Sequence, residues 1–324
     1  FQDNDEEVIT NVLEYHLLPG QHPVGPLVAG IPQFIPSLLT SSNYTNVTGG
    51  QVVEVVKQAG DVVVYVSGTG SRSTVAQADL LFNGGVVQVI DTILLPPSNL
   101  TATTDAFNLT SFEGALYTTD SLESLNAQKD ITVFIPNNDA FQALGPAITE
   151  LTVNELLKVV DYHILPQVVY STNLTNGTTF TTEQGTSLKI THINNNLYVN
   201  SAQLLQGDIL IENGVFHIID NVLNWQDTTA LPNASIPTQS PVFPSASPVP
   251  NLPFTAAFPC SSNCPTPPPS STAAPSTAAV KSTATTSQRV STSSSKGIAM
   301  AQPTGVGAVH VGGIMVALGV GMMI

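Results

Sequence analysis

Apolar residues in the first two thirds of the chain recur with two different spacings, which predict both helices and strands. Leu109, Phe112 and Leu116 are three and four residues apart, as on one face of a helix. Residues 131–135 form a continuous, largely β-branched apolar run that Pro136 ends, which predicts a buried strand. The region up to residue 227 therefore contains elements of both types.

Capping and turn residues divide this region further. Residues 152–155 (Thr-Val-Asn-Glu) have the capping-box pattern, and an apolar stripe follows them. Residues 188–193 and 197–200 predict a hairpin, and residues 215–223 predict a last strand. Because helices and strands mix without strict alternation, we predict an α+β fold.

The same region is built twice. Residues 15–19 (Tyr-His-Leu-Leu-Pro) recur as residues 162–166 (Tyr-His-Ile-Leu-Pro), and residues 81–91 recur without a gap as residues 210–220. We therefore predict one duplicated fold, with a first domain at residues 1–97 and a second at residues 98–227.

The first copy is shorter than the second. Phe107 lies 55 residues before Tyr162, whereas only 14 residues precede Tyr15. The comparison of the two copies leads us to expect that about 41 residues of a longer precursor precede Phe1. The part that is present begins with a predicted helix whose apolar stripe lies within residues 8–13.

Charge separates the duplicated body from the rest of the chain. Residues 1–227 hold all 23 acidic and five of the eight basic side chains, a net charge of −18, and the remaining 97 residues carry +3. An acidic body of this kind offers no basic surface for a polyanion, so we predict no nucleic-acid partner. The acids are typical of a solvated surface.

The region after the body has a different composition. Residues 228–297 contain 26 Ser or Thr and 13 Pro, and no acid, which predicts a disordered and O-glycosylated stalk. Cys260 and Cys264 lie within it. A metal site needs further ligands and none is near, so a local disulfide is the favoured interpretation.

The C-terminal segment, residues 298–324, is predicted to be an anchor signal. Residues 306–324 carry no charge but include five glycines, which disfavours a permanent membrane span or a docked apolar helix. Small residues followed by a polar spacer and an apolar tail are typical of a signal that is exchanged for a glycosylphosphatidylinositol anchor. The candidate attachment residues are Ser293, Ser294 and Ser295, with Gly297 as a further choice.

Asn-x-Ser/Thr sequons, the acceptor motif for N-glycans, recur along the chain. The seven candidates are Asn43, Asn46, Asn99, Asn108, Asn173, Asn176 and Asn233. Together with the anchor signal they predict passage through the secretory pathway. We expect a cell-surface location, at the outer leaflet of the plasma membrane or in the cell wall.

Three motifs in the second copy resemble the motifs of a known domain family. Residues 132–141, Tyr162-His163 and residues 213–223 resemble the first box, the Tyr-His motif and the second box of the fasciclin domain family. The first copy has the last two motifs, with Gln88 where the second copy has His217. The resemblance implies duplicated α+β wedges of β-sandwich-like sheets with packed helices. It also implies extracellular adhesion or matrix association, in an architecture similar to that of fungal and plant members.

The Tyr-His motif has two interpretations. In animal members of the family it is linked to adhesion, which makes Tyr15, His16, Tyr162 and His163 candidate contact residues. The alternative is that the tyrosine packs in the core and the histidine caps the helix end, and the apolar neighbours of Tyr162 favour this burial.

Motifs that would indicate catalysis are missing from the sequence, so we predict neither an enzyme nor a cofactor. Asp161, His163 and His217 would suit a divalent ion if the fold brought them together, but imidazoles that satisfy backbone groups are the favoured interpretation. The leading hypothesis is an adhesion or cell-wall-associated protein that acts by weak multivalent contacts with cell-surface or matrix proteins, glycans or a second copy. The alternative is a module that binds a small hydrophobic or carbohydrate ligand.

Overall fold

The first domain consists of one helix and an antiparallel sheet. The structure, a computed structural model, describes residues 6–258 and 321–323. The elements of this domain are α1 (Glu6–Tyr15), β1 (Gln33–Pro36), β2 (Val52–Lys57), β3 (Val63–Val66), β4 (Arg72–Phe82) and β5 (Gly85–Ile90). The strands follow one another in chain order across the sheet, and the strand Gly321–Met323 pairs antiparallel with β5.

The second domain has helices on a larger mixed sheet. Its helices are α2 (Leu100–Ala106), α3 (Thr110–Thr118), α4 (Leu122–Ala127), α5 (Asn138–Leu144), α6 (Pro146–Thr149) and α7 (Val153–Tyr162). Its strands are β6 (Ile131–Pro136), β7 (Ile164–Leu165), β8 (Thr179–Thr181), β9 (Ser187–Ile193), β10 (Asn196–Val199), β11 (Ala202–Ile211) and β12 (Gly214–Ile219). The sheet order is β7-β6-β12-β11-β10-β9-β8, and the α+β class is confirmed.

The strand β6 lies at the centre of the second domain. All six of its residues are buried, and it pairs in parallel with β12. A strand that is covered on both faces needs a continuous apolar sequence, and the run at residues 131–135 supplies it. Helices α3, α5 and α7 cover one face of this sheet, with Phe112 and Phe141 in their shared core.

The duplication is visible in an irregularity that both domains share. The pairing of β4 with β5 shifts register twice between Val75 and Leu80, and the pairing of β11 with β12 shifts twice between Leu204 and Ile209. At these bulges Asp79 has φ 57° and Asp208 has φ 61°. Two copies that keep the same unusual backbone are copies of one fold.

The first domain differs from the second in what covers its sheet. Among residues 6–258 it has no counterpart of β6. Leu81 is 83% exposed, whereas its counterpart Leu210 is 1% exposed. The predicted apolar stripe of α1 also faces solvent in part, because Ile9 is 40% and Leu13 60% exposed.

A loop of the first domain, residues 41–51, joins the two domains. The Asn46 N–H donates to the Glu212 carbonyl at 2.8 Å, and the Thr48 N–H donates to Asp130 Oδ1 at 2.7 Å. The side chain of Gln51, which is fully buried, donates to the Ile211 carbonyl at 3.1 Å. Both domains belong to one compact unit.

The segment after the second domain differs from the prediction. The sequence places residues 228–258 in a disordered stalk, whereas the structure lays residues 239–258 against the second domain. Phe243, Ala246 and Phe254 pack on its core. The composition is rich in Pro and Ser, so these few apolar side chains did not alter the prediction. Their burial offsets the conformational entropy that is lost when the segment becomes ordered.

Candidate functional site

Tyr162 and His163, at the end of α7, lie inside the second domain. Their exposed fractions are 0% and 1%. Nδ1 of His163 donates to the Val159 carbonyl at 2.7 Å, and Nε2 accepts the Leu223 N–H at 3.0 Å. The Tyr162 hydroxyl donates to the Ser187 carbonyl at 3.1 Å. The imidazole thus ties the helix end to the segment that follows β12.

The first domain repeats this arrangement. Nδ1 of His16 donates to the Val12 carbonyl at 2.7 Å, and Nε2 accepts the Leu94 N–H at 3.0 Å. Tyr15 is fully buried, and its hydroxyl donates to the Val52 carbonyl at 2.8 Å. The Tyr-His motif therefore does the same structural work in both copies.

Burial also fixes the protonation of these histidines. It lowers the pKa of His163 to about 4, and it lowers the pKa of His16 as well. Both rings are neutral at pH 7, and they present no charge and almost no surface. The structure therefore does not support Tyr15, His16, Tyr162 and His163 as residues that touch a partner directly.

The histidine of the second box, His217, is equally enclosed. It is fully buried; its Nδ1 accepts the Asp208 N–H at 3.1 Å, and its Nε2 donates to the Val169 carbonyl at 2.8 Å. Because both ring nitrogens of His163 and of His217 are used, neither ring has a lone pair for a metal. Within residues 6–258, no three His, Cys, Asp or Glu side chains converge on a possible metal site.

Gln88 takes the place of that histidine in the first domain and does the same work. Its Oε1 accepts the Asp79 N–H at 2.9 Å, and its Nε2 donates to the His22 carbonyl at 3.2 Å. An amide has one acceptor end and one donor end, as a neutral imidazole has. Gln88 departs from the family pattern, but it makes the two hydrogen bonds that correspond to those of His217.

Six of the seven sequon asparagines are exposed, namely Asn43, Asn99, Asn108, Asn173, Asn176 and Asn233. In three of them, Oδ1 accepts a backbone N–H: from Ala102 for Asn99, from His192 for Asn176 and from Ser235 for Asn233. An N-glycan is attached to the other atom of the amide, Nδ2. This geometry leaves Nδ2 of the three asparagines free for attachment.

The seventh sequon, at Asn46, is half-buried. It lies in the loop that joins the domains, where the Asn46 carbonyl accepts the Asp130 N–H at 3.3 Å. The sequon residue Thr48 is bonded to the Asp130 carboxylate at the same contact. Asn46 is therefore the least accessible of the candidates.

Two glutamates are held in environments that disfavour their charge. Burial and the nearby Asp208 raise the pKa of Glu54 to about 7, against the opposing effect of Arg72. Burial and the neighbouring Asp105 raise the pKa of Glu113, on α3, to about 7. Sequence reasoning missed both, since nothing local distinguishes them from the many solvated acids.

The only tryptophan of the chain, Trp225, lies in a cleft of about 270 Å³ beside α6 and α7. Pro146, Val159 and Phe243 supply apolar walls. The ammonium of Lys158 stands 5.1 Å from the centre of the indole ring. This cleft combines an aromatic surface with charged neighbours, and sequence reasoning did not single it out.

A second cavity, of about 230 Å³, opens in the first domain beside Tyr65, Phe82 and Gln88. Pockets for small-molecule ligands usually measure about 300–1,000 Å³. Both cavities are smaller than this range, but the Trp225 cleft adjoins an open cleft of about 550 Å³ that shares Asn224, Gln226, Phe243 and Pro244 with it.

Several predicted sites lie outside the described residues. These are Cys260 and Cys264 and the attachment candidates Ser293, Ser294, Ser295 and Gly297, together with most of the segment 298–324. Among the residues that are described, no helix combines the length and apolar character needed to cross a bilayer.

Comparison with known proteins agrees with the duplicated fold. The family model described as "Fasciclin domain" matches residues 1–96 and 107–225. A Fasciclin-like arabinogalactan protein of Arthroderma benhamiae is 35% identical over 257 residues, 79% of this chain and 60% of that protein. One of Cercospora beticola is 31% identical over 56% of this chain and 50% of its own length. Human periostin is 31% identical over 48% of this chain and 19% of its own.

The family match covers both copies and most of the two domains. The chain belongs to the fasciclin domain family. It spans 60% and 50% of the length of the two fungal relatives. A domain pair of the insect cell adhesion molecule Fasciclin I aligns with a TM-score of 0.38 and 18% identity, over 69% of this chain and 83% of that one.

Proposed function

We propose that this protein is an extracellular adhesion or cell-wall-associated protein that acts by weak multivalent contacts. The observation that carries this proposal is the direct bonding of the two fasciclin domains through the loop 41–51. A bonded pair presents two contact surfaces together, and many copies on one surface raise the effective concentration of each contact. The partners are cell-surface or matrix proteins, glycans or a second copy.

We place the principal contact of the second domain at the face around Trp225. Trp225 is half-buried beside α7, and the ammonium of Lys158, on that helix, stands over its ring. Large aromatic residues supply much of the binding energy at protein interfaces. None of the residues that line the cleft belongs to a sequon, so an N-glycan attached at those motifs leaves this face open.

A binding assay with the intact chain tests this placement. Beads coated with the chain are mixed with cells of the source organism that lack it, and retention under flow is measured. We expect the double substitution Lys158→Ala and Trp225→Ser to reduce retention severalfold. The matched control is Leu205→Asp, an exposed apolar residue on β11. Equal retention of both variants and the wild type contradicts the proposed surface.

The location is proposed together with the function. Exposed sequon asparagines on both domains support passage through the secretory pathway. Anchoring through a lipid at Ser293, Ser294, Ser295 or Gly297 is tested by treating cells with a phosphatidylinositol-specific phospholipase. Release of the protein supports the lipid anchor, and retention contradicts it.

The second candidate function is binding of a small hydrophobic or carbohydrate ligand, which the aromatic wall of the Trp225 cleft favours. Because Trp225 is the only tryptophan, its intrinsic fluorescence reports directly on this cleft. A saturable change on titration with short cell-wall oligosaccharides or with fatty acids supports the candidate. A flat response to both removes it.

A further inference from the structure

Residues 239–258, hereafter the strap, cross the surface of the second domain mostly without regular secondary structure, with turns at residues 244–245 and 253–254 and a 3-10 helix at Thr255–Ala257. They contain five prolines and no charged residue. They also lie beyond residue 225, where the match to the family model ends. The strap is therefore an addition to the fasciclin domain.

Backbone bonds attach the middle of the strap to α5. The Val249 N–H donates to the Gln142 carbonyl at 2.9 Å, and the Ser247 N–H donates to the Leu144 carbonyl at 3.3 Å. Nε2 of Gln142 donates in turn to the Pro250 carbonyl at 3.1 Å. These bonds recognise an extended backbone and not particular side chains.

Three side chains that follow β12 hold the start of the strap. Oδ2 of Asp220 accepts the Gln239 N–H at 2.8 Å. Nδ2 of Asn221 and Nδ2 of Asn224 donate to the carbonyls of Ser240 and Val242, at 2.6 and 3.0 Å. All three anchors again contact backbone atoms of the strap.

The first domain lacks these anchors. Its counterparts of Asn221 and Asn224 are Thr92 and Leu95. Its Asp91 uses Oδ1 for the Thr74 N–H at 2.7 Å, as Asp220 uses Oδ1 for the Gln203 N–H. The second oxygen of Asp220 is thus assigned to the strap, and the groove belongs to the second domain alone.

Two glycines of the second domain are shaped to the strap. A Cβ at Gly114 would lie 2.3 Å from the Phe254 carbonyl oxygen, and a Cβ at Gly145 would lie 2.1 Å from the Ser247 carbonyl oxygen. Gly114 is inside α3, where glycine is disfavoured and where the helical backbone does not require it. The close approach of the strap backbone explains why residue 114 is a glycine.

We propose that this face of the second domain is a binding groove for an uncharged, proline-rich chain, and that the strap is its resident ligand. Proline-rich segments bind in this way because their extended backbone is preordered and loses little entropy on binding. The ring of Phe254 packs edge-on against Phe141, 6.1 Å between centres, and anchors the ligand in the groove.

Exchange of the strap tests the groove. A protease site is inserted beside Leu231, which is 80% exposed, and the intact chain is cleaved there. A fluorescent synthetic peptide of residues 239–258 is then added. We expect saturable uptake of this peptide, competition by the unlabelled peptide and no uptake of a scrambled peptide of the same composition. No uptake, or equal uptake of the scrambled peptide, overturns the proposal.

A substitution in the uncleaved chain gives a second test. Gly114→Ala places a methyl group against the strap backbone, while alanine favours the helix itself. We expect hydrogen-exchange protection of the Val249 amide to fall at least about tenfold, equivalent to about 1.4 kcal/mol, with protection of β6 unchanged. The control is Gly25→Ala, since a Cβ there has open space. Equal loss of protection in β6 would show that the strap is a permanent part of the domain and not an exchangeable ligand. That result would overturn the proposal.

Discussion

His217 and Gln88 occupy equivalent places in the two domains and make equivalent hydrogen bonds with different chemical groups. Each accepts a backbone N–H from an aspartate with positive φ and donates to a backbone carbonyl. The position therefore selects for one acceptor and one donor at a fixed separation, not for the acid–base chemistry of an imidazole.

This equivalence gives a prediction for the second domain. His217→Gln is expected to cost less than about 1.5 kcal/mol of unfolding free energy, since the amide replaces both bonds. His217→Leu leaves the Asp208 N–H and the Val169 carbonyl buried without partners, and a loss of about 2–4 kcal/mol is expected. Urea unfolding of both variants measures the difference. Equal losses would contradict the interpretation.

Glu113 predicts a dependence of stability on pH. Its pKa is 4.5 when exposed and about 7 in the folded protein, so between these values the folded state binds the extra proton. This contribution to stability is therefore present at low pH and is lost as the pH rises towards 7. Glu113→Gln removes this pH-dependent loss of stability. The Tm of the variant minus the Tm of the wild type is therefore expected to increase as the pH rises from 4.5 to 7.

The histidines act in the opposite direction without disturbing this comparison. Burial lowers the pKa of His163 from 6.5 to about 4, so its contribution is lost as the pH falls through that range. The effect is common to wild type and variant and cancels in the difference of Tm. Glu123→Gln, at an exposed position of α4, is the control, and a matching pH trend in it would count against Glu113 as the cause.

At the scale of elements, α7 follows directly from its sequence. Thr152 Oγ1 accepts the Glu155 N–H at 3.3 Å, and the Glu155 carboxylate accepts the Thr152 N–H at 2.9 Å, as the capping-box pattern predicts. The hairpin of β9 and β10 also forms close to the predicted residues. Capping and turn formation involve residues a few positions apart, so the local sequence is sufficient for them.

The cap at Thr152 is expected to contribute measurably to stability. Thr152→Ala removes the acceptor for the Glu155 N–H, and a loss of about 1 kcal/mol is expected in thermal or urea unfolding. The matched control is Thr172→Ala, an exposed threonine outside any helix cap, with an expected change within about 0.5 kcal/mol. A loss at Thr172 as large as that at Thr152 would show that the cap is not responsible.

The bulges of β4 and β11 are elements that the sequence did not predict. They depend on how each strand is paired with its neighbour, and Asp79 and Asp208 look like ordinary polar residues in the chain. Only the comparison of the two paired sheets shows that the same backbone is kept twice.

At the scale of the whole molecule, the contact at the loop 41–51 makes the two domains a single unit. Gln51 is central to it, since its Nε2 donates to the Ile211 carbonyl at 3.1 Å and its Oε1 accepts the Val52 N–H at 2.8 Å. Coupled domains unfold together, whereas domains that have lost their contact unfold separately.

We therefore expect Gln51→Ala to uncouple the domains. The substitution removes the Gln51 donor to the buried Ile211 carbonyl and the acceptor of the Val52 N–H, at a cost of about 1–3 kcal/mol, and calorimetry is expected to show two transitions or one broadened transition. Gln21→Ala, at an exposed position, serves as the control and is expected to keep the wild-type profile. A single sharp transition at lower temperature for Gln51→Ala would contradict the coupling.

The sequence by itself determined the class of fold, the duplication, the buried strand β6 and the capped helix α7. These features depend on periodicity, on capping over a few residues and on motifs that can be compared directly. The burial of the Tyr-His pairs was among the alternatives it offered. Tertiary structure alone decided that the strap is bound, that Gln88 makes the same kind of hydrogen bonds as His217 and that the domains are joined. Those contacts link residues far apart in the chain, such as Gln142 with Pro250 and Gln51 with Ile211, 108 and 160 positions apart, and local pattern carries no information about them.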